Sequence, residues 1–227
     1  MSCVKSQSTV WWDDLDYPLG DNCMEFRLTY EGELLGASKT DTRARHKHDI
    51  RRVFHPQLRR WWDITPSLNA MFDPPAESTN INRTEWKKRR ETLPERFQCG
   101  GYRFVPLVTE DLSLICAIEI LFLRPDPPGS LIQSGDIDNR LKTLFDTLRI
   151  PGPDAAELGG HTPAEDEKPF YCLLQDDRLI SRVSVETDVL LQPTNPKNAH
   201  NRNDARLLIT VKLKPVNPTI YHTQGFV

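Results

Sequence analysis

Two pairs of aspartates, Asp136 with Asp138 and Asp176 with Asp177, are the residues whose type and spacing could do chemistry. Carboxylates near 4 Å repel by roughly 1–4 kcal/mol at effective dielectrics from water-like down to 20. A divalent cation between them reverses that sign, and hard carboxylate oxygens suit Mg²⁺ or Mn²⁺. Lys142 follows Asp138 by one helical turn. Such a cation, beside a metal, can meet charge that develops on a phosphate. Each feature also has an ordinary structural reading. Asp136 or Asp138 would cap a helix N-terminus. An i, i+4 Asp–Lys pair is a common surface ion pair, and an Asp-Asp step readily opens a turn. What favours chemistry is the combination, in order, of acid pair, lysine and second acid pair. The chemistry then requires that acids from two separated segments meet around one ion.

The elements that must position these residues follow from periodicity. Met24 to Tyr30 alternates apolar and polar side chains, as a half-buried strand does. Arg43 to Trp62 carries Ile50, Val53, Phe54, Leu58, Trp61 and Trp62 at helical intervals, with a kink or a break expected at Pro56. Within that stripe Trp61 and Trp62 read as core, whereas His46 and His48 read as exposed or phosphate-contacting. A second basic helix is expected over Arg83 to Arg90, and Gly100-Gly101 closes the region. Asp111 to Arg124 reads as a strand buried on both faces. Asp138 to Arg149 is an amphipathic helix through Leu141, Leu144, Phe145 and Leu148. The Pro/Gly/acid-rich stretch up to Pro169 reads as an exposed loop. Alternating Val183–Val189 and Leu207–Leu213 give two final strands joined by a wide hairpin loop. The fold expected is α+β: a small mixed, largely antiparallel sheet with helices packed on one face. The domain plan is an acidic leader over 1–22, a single domain over 23–214 with a basic helical extension (40–97) and an inserted loop (151–169), and a tail over 215–227.

The chain has 227 residues and a formal net charge of -3, so any contact with nucleic acid needs a local basic patch. Asp41 to Arg60 carries seven basic residues (Arg43, Arg45, Lys47, Arg51, Arg52, Arg59, Arg60) against two acids. Arg83 to Arg90 adds Arg83, Lys87, Lys88, Arg89 and Arg90 against Glu85. The alternative for both is a solvated charged helix face. The five cysteines include no C-x-x-C pair and no zinc-like spacing to histidine, which reads as free thiols in a reducing, cytoplasmic setting. No apolar run is long enough to span a membrane.

The ordered set Asp136-Ile137-Asp138-Asn139-Arg140-Leu141-Lys142, then Phe145-Asp146-Thr147-Leu148, then Asp176-Asp177-Arg178-Leu179-Ile180 resembles the RusA-type Holliday junction resolvases. The resemblance spans about residues 111 to 214. It implies a RusA-like fold and a Mg²⁺-dependent DNA endonuclease of recombination and repair that cleaves branched DNA as a homodimer, Mn²⁺ being an alternative ion. It further implies Asp136, Asp138 and Asp177 as metal ligands, Asp176 as a supporting acid and Lys142 as the basic residue at the scissile phosphate. The readings that compete are a structure-tolerant nuclease in defence against foreign DNA and a non-catalytic nucleic-acid-binding protein on the same scaffold.

Overall fold

The computed structural model describes residues 24–37, 40–65, 68, 93–125, 136–152, 155–198 and 200–216, with Asp41 and Asp136 described by backbone alone. The leader, the second basic helix with Lys87, Lys88, Arg89 and Arg90, and residues 217–227 of the tail lie outside the described residues. The architecture among the described residues is α+β, with two α-helices described over their whole length and two mixed sheets.

The larger sheet is built from β1 (Glu25–Glu33), β4 (Leu114–Arg124), β6 (Ile180–Val189) and β7 (Asp204–Pro215) in the order β1-β7-β4-β6. β1–β7 and β7–β4 are antiparallel, and β4–β6 is parallel. The expected hairpin between the last two strands is therefore absent: β4 lies between them, and the loop after β6 crosses over its end. The alternation read in β1 holds, because Phe26, Leu28 and Tyr30 are buried between exposed neighbours. β4 is fully buried on one face only. Its other face is only half-covered, and there Glu119 receives Arg182 and Lys212.

A smaller sheet, not anticipated from the sequence, has the order β2-β3-β5, with β2 (Gln98–Cys99), β3 (Tyr102–Val108) and β5 (Phe170–Leu174). Gly100 and Gly101 form the β2–β3 turn at φ 55° and 84°, values open to glycine at little cost. β3 pairs in parallel with β5, as β4 does with β6. The two strand pairs thus continue one another across bends at 109–113 and 175–179.

Helix α1 (Asp41–Ile64) runs unbroken through Pro56. The missing amide costs one ladder bond, and Pro56 itself is exposed. Thr40 caps α1 by accepting from the Arg43 amide. One side of α1 meets β1, where Trp61 stacks on Phe26 with centroids 4.6 Å apart and Phe54 lies against Tyr30. Trp62 is core, as expected, and Trp61 is half-buried against that core. The opposite side meets the small sheet, with His55 stacked on Phe170 at 4.5 Å. Helix α2 (Asp136–Leu148) places Leu144 and Leu148 in the same core.

The segment expected to be an exposed loop after Pro151 is instead a strap against α1. Leu158 is buried with Cys99, Tyr102, Phe104, Phe170 and Cys172. Gly159, at φ 60°, passes so close to α1 that a Cβ there would stand 2.5 Å from the Arg45 amide nitrogen. Gly159→Ala is therefore expected to cost about 2 kcal/mol or more. Gly160→Ala, at φ 79° with open space around it, costs about 1 kcal/mol. Urea denaturation compares them, and equal losses would contradict the close approach.

Candidate functional site

The acid pairs do not meet within one chain. The Asn139 carbonyl accepts from the Ala37 amide at 3.0 Å, and Arg140 donates to the Arg202 carbonyl at 3.1 Å. α2 thus begins at the end of the large sheet where β1 finishes and β7 starts. Asp176 and Asp177 precede β6, whose first residue Ile180 is level with Cys116 and hence with Leu213. From Asp204 to Leu213 is roughly 30 Å of strand. The helix leads to the same answer. Arg149, just past its far end, bridges to Leu174, about 16 Å of helix away from Asp138. A shared cation would need carboxylate oxygens within about 2.1 Å of it. No group of three or more His, Cys, Asp or Glu able to hold a metal occurs among the described residues. The assignment of Asp136, Asp138, Asp176 and Asp177 to one intramolecular metal site is therefore corrected.

What stands at each place differs in character. Asp138 and Lys142 are exposed on the first two turns of α2, and they form no ion pair with each other or with another described residue. Asp176, by contrast, caps the short 3-10 turn Asp177–Leu179 and accepts from both the Arg178 amide and its Nε at 2.9 Å. The Arg178 bonds hold the Asp176 carboxyl below the usual range. Asp177 is exposed beside it. The structural reading suffices for Asp176. It does not account for Asp138 and Lys142.

The basic stripe of α1 is largely spent inside the protein. Arg51 is 1 % exposed; it donates to the carbonyls of Asp146 at 2.8 Å and Glu157 at 3.1 Å, with the Glu157 carboxylate at 3.7 Å. Burial lowers its pKa to about 10 against the pull of Glu157. Lys47 pairs with Asp146 at 2.6 Å, and Arg149 reaches both Asp146 and Glu157. Arg52 grips Glu167 with Nε at 2.7 Å and Nη2 at 3.2 Å. Arg45 donates to the Gly159 carbonyl and Arg59 to that of Asp166. Arg43 and Arg60 alone of the seven make no side-chain bond among the described residues. The nucleic-acid role read for Lys47, Arg51 and Arg52 is corrected accordingly: their ion pairs hold α2 and the strap against α1, whereas Arg45 and Arg59 stay exposed with one carbonyl contact each. The acids that neutralise Lys47, Arg51 and Arg52 lie about a hundred residues downstream, which no local charge count reveals.

The histidines belong to the same seam. His48, read as exposed, is wholly buried, with its Nε2 3.0 Å from the Tyr102 hydroxyl. That hydroxyl donates to Glu167 at 3.4 Å, which makes Nε2 the protonated nitrogen of His48. Burial, reinforced by Arg51, drops the His48 pKa from 6.5 to about 3. His55 accepts from the Tyr171 amide at Nδ1 and donates to the Asp166 carbonyl from Nε2, and burial lowers its pKa as well. His46 accepts from the Leu35 amide. Burial works to raise Glu167, but the bond from Arg52 and the Ala164 amide outweigh it, and its pKa is lowered.

Sequence reasoning missed the loop beside the mouth of α2. Arg140 ties Arg202 and Asn203 to the first turn of the helix, and Arg202, His200 and Lys197 of that loop are exposed. Their signal was weak, being three scattered basic residues in an Asn-rich stretch. No helix among the described residues is long and apolar enough to cross a membrane. No protein-family model matches the chain, and neither does any curated protein or solved structure.

The seam's linkage has one direction. A histidine whose folded pKa is depressed contributes stability that is present above 6.5 and lost as pH falls toward 3. Glu167, also depressed, loses its contribution as pH falls through its own folded value. The protein is expected to lose stability steadily between pH 6.5 and 3. His48→Phe should flatten that slope by up to about 1.4 kcal/mol per pH unit. Denaturation midpoints across this range check it, and an unchanged slope would exclude His48 as a contributor.

Proposed function

We propose that the protein is a Mg²⁺-dependent DNA endonuclease resembling the RusA-type resolvases, including their fold, and acting as a homodimer on branched DNA. The observation that carries the reading is the pair Asp138 and Lys142, exposed one helical turn apart at the mouth of α2 and engaged by no other described residue. A carboxylate and an ammonium left solvated with no structural partner are available to a ligand. The backbone of Asp136 stands on the same turn.

Mg²⁺ is commonly held by one or two carboxylates together with water and substrate phosphates, so Asp136 and Asp138 suit it as a partial set. When bound, the ion would supply a polarised water and compensation for charge on the phosphoryl oxygens. Lys142 would hold a non-bridging phosphate oxygen and offset the charge gained during attack. Arg202, with the loop that carries Lys197 and His200, would position the flanking phosphates. Asp177 stands at the other end of the sheet, and a second copy of the chain would have to deliver it.

Asp138→Asn and Asp177→Asn are each expected to lower Mg²⁺-dependent cleavage of a four-way junction by about a hundredfold or more. Mixing the two inactive proteins should restore cleavage, because the mixed dimer contains one site with both aspartates. Wild-type cutting by Asp138→Asn would end the nuclease reading. Failure of the mixture to recover would remove Asp177 from the site. Duplex, fork and single-stranded substrates run in parallel report the preferred DNA structure.

A further inference from the structure

β6 is an edge strand of ten residues that pairs only with β4 among the described residues. Among the described residues no strand pairs with its outer backbone edge. Val183 on this strand is 43 % exposed, and Leu191 just beyond it is 92 % exposed. Open edges are usually guarded by charge. Here the charges are of both signs and are segregated: Arg182 lies near one end, and Glu186 and Asp188 lie near the other.

We propose that two copies of this chain pair antiparallel along β6, about a two-fold axis at Val185, to form one continuous eight-stranded sheet. The segregated charges fit this arrangement and disfavour its neighbours. A two-fold axis normal to the sheet keeps facing side chains on one side, so it must pass through a residue. With the axis at Val185, Arg182 lies opposite the partner's Asp188, and Val183 lies opposite the partner's Thr187. Ser184 then faces the partner's Glu186. Leu190 and Leu191 fall level with the partner's Ile180 and Leu179, which gives the most exposed apolar side chain an apolar neighbour. An axis at Ser184 would set Asp188 against the partner's Ile180. One at Glu186 would place that residue opposite the partner's Glu186. Cross-strand opposite charges and β-branched pairs stabilise such a ladder, and like charges oppose it. Arg182 already reaches Glu119, but its five donors allow a guanidinium to serve a second carboxylate. Asp188 has no ion-pair partner among the described residues. The contact is argued from the strand edge alone and is independent of any hydrolytic role. It also sets the partner's Asp177 level with Pro193, at the end of the sheet where α2 begins.

Analytical ultracentrifugation of the full chain, without metal or DNA, tests it. The wild type is expected to be a dimer at micromolar concentration. Asp188→Arg and Arg182→Glu should each weaken the dimer tenfold or more while the circular dichroism melt is retained. An equimolar mixture of the two variants should form a dimer again, because each new charge then meets its opposite across the axis. Amide exchange over 181–189 should slow as concentration rises. A monomeric wild type, which would leave the edge to some other strand, overturns the proposal. So does a dimer that Asp188→Arg leaves intact, or a mixture that stays monomeric.

Discussion

A buried guanidinium organises this protein. Arg51 sits inside the fold, where an unpaired cation would cost several kcal/mol, so two carbonyls and the Glu157 carboxylate must come to it. Those partners belong to α2 and to the strap, and meeting the requirement brings both against α1. Lys47, Arg52, His48 and His55 repeat the same demand along the helix, and Asp146, Glu167, Tyr102 and Asp166 answer it. α1 is therefore held on one side by apolar packing on β1 and on the other by a polar seam with the small sheet and strap.

This division sets where function can lie. Basic residues committed to the seam are unavailable to phosphate, which moves the nucleic-acid question from the middle of α1 to the mouth of α2. There the carboxylate of Asp138 and the ammonium of Lys142 are unspent, and the 191–203 loop brings Arg202 alongside. Asp177 stands at the opposite end of the large sheet from Asp138. In the dimer proposed above, an isologous contact would bring opposite ends of two sheets together.

Most of the large sheet, together with α1 and α2, was legible from period alone. β1 and β7 alternate because one face meets the core, and α2 carries its leucines at i, i+3, i+4 and i+7. The small sheet was not legible. β3 (YRFVPLV) and β5 (FYCLL) are short apolar runs of a kind that periodicity cannot distinguish from buried loop or helix. The parallel partner of each lies more than sixty residues away. Pro56 misled in the other direction, since a proline costs one hydrogen bond and a long helix anchored on both faces absorbs it.

The candidate site divides along the same line. Residue types and spacing by themselves determined that α2 would present Asp138 and Lys142 away from its leucine stripe, because a helix fixes relative direction within a turn or two. They could not determine that Lys47, Arg51 and Arg52 would be neutralised, or that Asp176 and Asp177 would stand at the far end of the sheet. Those outcomes depend on which distant segments pack together. Only the tertiary structure decides that, because burial and the pairing of charges across a hundred residues are properties of the assembled core rather than of any local stretch.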